Sequence, residues 1–294
     1  MRTPGLTIGI TTFNRRGAVE AMASSLRKVE LLERVRLLVM DDRSDEFDAP
    51  FLERLLPGAE VIRSASRSGD ADRAMHRLFE HFVRHGSGYL FNLDSDLLCA
   101  PDLVKRCFQV IRGDRRADSP SLYSFFNAQT HASVGATDAF CRKATVGAAG
   151  TLWRHELLAD VIANVPVGRS YDWAWSEYLR QRGVPIWVSK GSHVQHVGAH
   201  GQNTPDWLRM DYGQAFVGYT PTNLAAFMDA LREGVSLLLQ EHQRRLDEQR
   251  SAIAGLTRLI RNQGMLLQSL EVRLARSVAR ITGERPRLDI APIP

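Results

Sequence analysis

The chain has 294 residues, 44% of them apolar and 24% charged, ordinary values for a folded soluble protein with room for one large domain and an appendage. Its formal net charge of +5 is not evenly spread: Arg244 to Arg287 holds ten arginines and no lysine against Asp247, Glu248, Glu271 and Glu284. A solvated helix face accounts for such a stretch, with anionic membrane as a peripheral contact and nucleic acid not expected as a partner. Cys99, Cys107 and Cys141 form no CxxC pair and no even framework, and so read as reduced thiols. The start, Met-Arg-Thr-Pro-Gly, lacks the apolar core of a signal peptide, and no run approaches the roughly 18 apolar residues of a membrane span. These features predict a cytoplasmic protein that at most visits the inner face of the membrane.

In chain order, strand and helix signals alternate over the first hundred residues, the pattern of a mostly parallel sheet. Leu6 to Thr11 reads as a buried strand, with a helix from Asn14 through Leu32. Val35 to Met40 is a second strand ending at Asp41-Asp42. A short helix over Phe51 to Leu56 leads to a third strand over Glu60 to Ile62. Asp70 to His85 has helical apolar spacing at Ala74, Leu78 and Phe82, and Gly86-Ser87-Gly88 ends it. Tyr89 to Leu93 is a fourth strand, ending at Asp94-Ser95-Asp96. Farther on, Leu122 to Phe126 and Ala139 to Val146 read as strands, and Leu152 to Asn164 and Asp172 to Arg182 as helices. Gly183 stops the last of these before a strand over Pro185 to Val188. Gly198 to Tyr219, rich in Gly, Pro, Asn and Asp, reads as a functional loop. Two strands thus end in acidic clusters on one rim, where ligands of open α/β sheets bind.

Two carboxylates around a small residue, as in Asp94-Ser95-Asp96, suit a hard divalent cation, which prefers oxygen ligands. Asp42, in Asp41-Asp42-Arg43-Ser44, offers a carboxylate to a nucleobase or ribose edge, although Asp and Ser equally favour caps and turns. Arg67 and Arg73 flank Gly69, a residue that lets backbone approach closely beside arginines suited to phosphates. No GxGxxG and no P-loop lysine occurs, which argues against a dinucleotide-binding domain or a Walker NTPase. His193, His196 and His200 invite a zinc reading, but they straddle a strand end and a glycine-rich loop. Trp173, Trp175, Trp187 and Trp207 are divided between sugar-stacking and core packing.

Together these segments resemble the family 2-type GT-A glycosyltransferases, inverting enzymes with a DxD motif. Thr11-Thr12-Phe13-Asn14-Arg15 resembles their opening strand end, Asp41-Asp42-Arg43-Ser44 their nucleotide-contacting D-D-x-S, and Leu93-Asp94-Ser95-Asp96 their DxD. Gly69 to Arg73 is a looser version of the family's G-x-x-x-A-R-N. Gly183 lies eleven residues after Asp172 and His196 thirteen after Gly183, a spacing similar to the family's acceptor half. The resemblance covers roughly residues 5 to 200. It implies a GT-A, Rossmann-like α/β domain that binds a nucleotide-diphosphate sugar, a UDP-sugar foremost, through Thr11, Phe13, Asn14, Arg15, Asp42, Arg67, Gly69, Arg73, Asp94 and Ser95. A Mn2+ or Mg2+ ion would be held by Asp94, Asp96 and His196. Asp172 would be the catalytic base, with Glu177 a rival because Tyr171 stands where the family has its first acid, and the helical arginine is displaced to Arg180 or Arg182. Trp153 and Trp173 would line the acceptor side. The implied activity is sugar transfer with inversion to a glycan or lipid-linked glycan hydroxyl, in bacterial surface polysaccharide or glycoconjugate assembly. The rivals are a nucleotidyltransferase, for which a glycine-rich basic N-terminal loop is missing, and a non-catalytic scaffold.

The tail lies outside the resemblance. Counting Leu239 as heptad position a, that position recurs as Leu246, Ile253, Ile260, Leu267, Leu274 and Ile281. Position d runs His242, Gln249, Leu256, Gln263, Leu270 and Ser277. A sustained seven-residue repeat predicts a coiled coil and hence a homo-oligomer. The predicted organisation is a GT-A domain over 1–220, a helical region over 221–285 with the coil at about 239–281, and a tail over 286–294.

Overall fold

The computed structural model describes residues 5–117, 119–198 and 211–282. Strand β1 (Leu6–Thr12), helix α1 (Arg16–Leu26), β2 (Arg36–Asp41), α2 (Ala49–Leu55), β3 (Glu60–Arg63), α3 (Ala71–His85) and β4 (Tyr89–Asp94) form the N-terminal half. Strand β5 (Leu97–Cys99), α4 (Leu103–Asp114), β6 (Leu122–Ser124), β7 (Ser133–Ala136), β8 (Phe140–Lys143) and β9 (Thr151–Arg154) follow. The series closes with α5 (His155–Asn164), α6 (Tyr171–Gln181), β10 (Ile186–Ser189), β11 (Val194–His196) and α7 (Pro221–Thr282).

The central sheet runs β3-β2-β1-β4-β9-β6-β10-β8-β7, and β11 pairs with β5 in a small second sheet. The first four strands are parallel, and β9 then runs antiparallel to both β4 and β6. Burial on both faces explains the apolar runs Leu37 to Met40 of β2 and Tyr89 to Leu93 of β4, the latter broken only by Asn92, whereas β1 alternates Leu6, Ile8 and Ile10 with Thr7, Gly9 and Thr11. Their register matters for function. Thr11 is level with Asp94 on one side and Met40 on the other, and Thr12 with Asp41, so both acidic clusters flank the end of β1.

Helices cover both faces. Val19, Met22 and Leu26 of α1 and Leu103, Val104 and Cys107 of α4 close one core with Ile8 and Ile10. On the other side Phe79 and Phe82 of α3, Leu158 and Val161 of α5, and Trp175 and Leu179 of α6 pack around Trp153. Cys99, Cys107 and Cys141 are free thiols, the first two buried.

Some elements differ from the sequence expectation. The helix expected over 152–164 is a strand, β9, followed directly by α5. The buried Thr-Leu-Trp run fills the gap between β4 and β6, so tertiary pairing overrides a helical pattern that continues unbroken into Leu157 and Leu158. Helix α1 starts later than expected, because Asn14 and Arg15 at its entry take left-handed backbone angles. It stops earlier, at Leu26, where tight turns from Ser25 O to Lys28 N and Leu26 O to Val29 N replace the helical pattern. Among the described residues, no helix is long and apolar enough to cross a membrane.

The chain divides into two compact units between Gly234 and Val235, within α7. In the first, Asn223 donates to the carbonyls of Cys99 and Gly218, and Ala230 packs with Leu98, Ala100 and Phe216. In the second, α7 continues to Thr282.

Candidate functional site

A cleft of about 630 Å3 opens at the carboxyl ends of β1, β2 and β4. Among the described residues, seven aspartates line it, Asp42, Asp70, Asp72, Asp94, Asp96, Asp172 and Asp211, against two arginines, Arg15 and Arg67, and one histidine, His196.

At its floor, Asp96 is buried. Arg15 Nη1 donates to Asp96 Oδ2 at 2.8 Å, and His196 Nε2 lies 3.2 Å from the same oxygen. The β1–α1 turn makes this possible. Asn14 and Arg15 are consecutive left-handed residues, uncommon for side chains with a Cβ, and the turn carries Arg15 across to Asp96. Strand β11 delivers His196 by pairing with Leu97 of β5, one residue beyond Asp96. Burial disfavours the Asp96 carboxylate, but His196 and Arg15 outweigh it and hold its pKa well below the usual range. Burial likewise works against a charged His196, and Asp96 overcomes this to raise the imidazole pKa. At Asp94, burial and the adjacent Asp96 charge outweigh the favourable influence of His196 and push its pKa up. Gly198 closes over this group. A Cβ there would lie 2.1 Å from Asp96 Oδ2 and 2.6 Å from Arg15 Nη2.

Asp42 stands in the cleft wall, accepting from Ser68 N at 2.8 Å, Ser68 Oγ at 2.6 Å and Arg77 Nη1 at 3.2 Å. It clamps the segment bearing Arg67 and Gly69, whose φ of +95° is the left-handed region that glycine enters without a Cβ penalty. Its neighbour Asp41 is wholly buried and structural, bonded by Thr12, Ser44 and Arg63. At the mouth, the Arg67 guanidinium lies 5.1 Å from the Phe13 ring centroid.

Across the cleft, Asp172 lies in the first turn of α6, and its Oδ1 accepts from Trp173 N at 2.9 Å. Burial is the larger influence and pushes its pKa up to about 6. Asp72, at the start of α3, accepts from Ser170 N at 2.9 Å and so ties the two helix starts together. Trp173 is 52% exposed beside Asp172, with the His131 ring 5.4 Å away.

Four sequence expectations need correction. Trp153 does not face an acceptor: it is fully buried, packs on Trp175 and Phe79, and donates its indole N–H to Thr151. Glu177 is no rival base, because it lies on the exposed face of α6 and is held by Arg180 and Gln181. Asn14 does not line the cleft; its Oδ1 accepts from the backbone of Asp45 and Glu46 and fixes the loop after β2. Arg73 points to solvent beside Asp70, 3.6 Å away. His193 has its Nδ1 on Asp102 at 3.0 Å and joins no metal-holding cluster among the described residues, while His200 and Trp207 lie outside the described residues. Tyr171, standing for the family's first acid, is a core residue.

The cleft also holds groups the sequence did not single out: Asp72, Asp211, Gly147 and Gly198. Asn92 belongs with them, a polar residue buried in an apolar strand, donating to Ala148 O at 3.1 Å and reaching Asp94 Oδ1 at 3.4 Å. A lone amide in Tyr-Leu-Phe-Asn-Leu-Asp was the readable signal.

Among the described residues, no three carboxylate, imidazole or thiol side chains are grouped so as to hold a metal ion alone. Magnesium-like ions, however, are commonly held by one or two carboxylates, with phosphate oxygens and water completing the shell. Asp94 and Asp96 fit that pattern: two carboxylates at a cleft floor, Asp94 forming no direct ion pair among the described residues.

Residues 7–137 match the model of glycosyl transferase family 2. No curated protein matches the chain. Among solved structures, S. aureus TarS residues 1–349 is 14% identical with a TM-score of 0.49, covering 66% of this chain and 61% of that one. The same segment in complex with UDP-GlcNAc is 16% identical with a TM-score of 0.47, covering 65% and 57%. The chain therefore spans less than two thirds of either. The architecture, a parallel sheet half joined to a mixed half with helices on both faces, is GT-A-like, as the motif resemblance implied.

Proposed function

Taking the family 2 glycosyltransferase match over residues 7–137 as premise, we propose that this protein is an inverting, metal-assisted glycosyltransferase. It moves a sugar from a nucleotide-diphosphate donor, a UDP-sugar foremost, to a hydroxyl of a glycan or lipid-linked glycan, in the assembly of bacterial surface polysaccharide or glycoconjugate.

The observation that carries this reading is the charge of the cleft. Among the described residues, seven aspartates outnumber two arginines and one histidine, an excess of carboxylates that disfavours a bare diphosphate and favours one accompanied by a cation. A Mn2+ or Mg2+ ion at Asp94 and Asp96 would neutralise the diphosphate and stabilise it as a leaving group. Arg15 orients the Asp96 carboxylate and adds positive charge on the same side. Asp42 and the Phe13–Arg67 pair form the wall that a base and ribose would meet. Facing them, Asp172 accepts the proton of the acceptor hydroxyl as its oxygen bonds to the anomeric carbon and the bond to the diphosphate breaks. Its burial supports this role, since a carboxylate with a pKa near 6 is a better base than an exposed one and is still ionised at pH 7. Trp173, exposed and backed by the buried His131 ring, offers an aromatic surface next to that base for an acceptor sugar.

The test is turnover of a panel of nucleotide sugars with manganese, reading release of free nucleoside diphosphate. Asp94→Asn and Asp96→Asn should each abolish it. Pyrophosphate as the product would point to a nucleotidyltransferase, and turnover unaffected by both substitutions would overturn the reading.

A further inference from the structure

Beyond Gly234, α7 carries an apolar stripe open to solvent. Leu239, Ile253, Ile260, Leu267 and Leu274 are 63, 63, 67, 61 and 67% exposed, and Leu246 completes the seven-residue series. We propose that this stripe is the seam of a parallel, in-register, two-stranded coiled coil formed with a second copy of this chain.

The period selects the kind of occupant. On a straight α-helix a strict seven-residue repeat drifts by about 20° per heptad, so the stripe from Leu239 to Leu274 winds through roughly 100° around the helix. A flat surface such as a membrane meets only part of such a stripe. A second helix that supercoils with α7 follows all of it.

The polar residues select the copy and the orientation. Position a is apolar throughout, whereas position d holds His242, Gln249, Gln263 and Ser277 between Leu256 and Leu270. In a parallel, in-register pair, d faces d: Gln249 meets Gln249 of the second copy and Gln263 meets Gln263, so each amide has a partner across the seam. In an antiparallel pair, d faces a, so any register sets every polar d residue against Leu or Ile. Charge favours the opposite orientation only weakly. Parallel pairing sets Arg245 near Arg250 of the second copy, but both are solvent-exposed, and an exposed like-charge contact costs less than a buried amide left unpaired. Ile253 and Ile260 at a with Leu256 at d fit the two-stranded form.

The experiment uses the full chain. Sedimentation at about 10 µM should give twice the chain mass, and Ile260→Asn, which places a polar group at an a layer between Leu256 and Gln263, should weaken association by about two orders of magnitude. Orientation is read with a nitroxide at Arg276→Cys in a Cys141→Ser background, because Cys99 and Cys107 are buried. Parallel pairing puts the two labels within about 30 Å of each other, whereas an antiparallel pair centred near residue 258 separates them by about 54 Å along the axis. A monomer overturns the proposal. So does a dimer indifferent to Ile260→Asn, or one whose labels lie at the longer distance. Sedimentation with anionic vesicles while the chain stays monomeric would assign the stripe to lipid instead.

Discussion

Gly198→Ala is the most informative single change at the proposed site, because it touches the acidic floor without altering any charge. The added methyl carbon would lie 2.1 Å from Asp96 Oδ2, whereas ordinary contact begins at 3.4 Å, so the carboxylate must retreat by about 1.3 Å. Asp96 cannot do so and keep both Arg15 at 2.8 Å and His196 at 3.2 Å. A misplacement of about 1 Å in a positioned catalytic group costs on the order of 100-fold in rate, equivalent to about 2.7 kcal/mol of transition-state stabilisation. The expected result is a kcat/KM for nucleotide-sugar turnover reduced about 100-fold, accompanied by a lower Tm because Gly198 is buried against the Asp96 ion-pair cluster. Wild-type turnover in Gly198→Ala would refute the argument that Asp96 is held in place to act.

Asp172→Asn should lower kcat by about 10^2 to 10^4, the usual worth of a positioned base, and should remove the acidic limb of the pH–rate profile. In the native protein the rate should rise about tenfold per pH unit below pH 6 and level off above it, since the active form is the carboxylate. A stability signature of opposite sense accompanies it. With its pKa raised on folding, Asp172 binds its proton more tightly in the folded state, so its ionisation penalises the fold above about pH 6 and the penalty is relieved toward pH 4. Asp172→Asn should therefore raise the Tm at pH 8 but not at pH 4. Glu177→Gln should leave turnover within about twofold, as expected of an exposed residue away from the cleft. Trp153→Ala should cost about 3–5 kcal/mol in stability by opening a cavity in the core, measured by denaturant unfolding, and a small loss would contradict its assignment as a packing residue.

The strands that carry the acidic clusters, β2 and β4, were legible because strands buried on both faces are written largely in apolar residues, here Leu37 to Met40 and Tyr89 to Leu93 around Asn92. Strand β9 was not, because Thr151–Arg154 runs into α5 with no turn residue between them and Arg154 at the helix start offers no capping side chain. Helix α4 was passed over, and strand β7 is exposed throughout, with no face pattern to betray it. At the site, motif spacing identified Asp42, Asp94, Asp96 and Asp172, and the fold brings them around one cleft. What spacing could not convey is which way a residue faces. Trp153 and Trp173 are the same residue type, the one at 0% and the other at 52% exposure. Asp41 and Asp42 are neighbours, yet one bonds inward to Ser44 and Arg63 and the other faces the cleft. Gly198 and Asp211 were read only as part of a functional loop, since their partners Asp96 and Thr130 are distant in sequence and only the folded chain brings them close.

The most direct test is calorimetric titration of the protein with UDP, in the presence of manganese and then with a chelator. Binding that appears with manganese, vanishes with chelator, and is lost in Asp94→Asn and Asp96→Asn is the expected result. Equal affinity with and without the metal, or no binding under either condition, would contradict the claim that these aspartates hold a diphosphate through a cation.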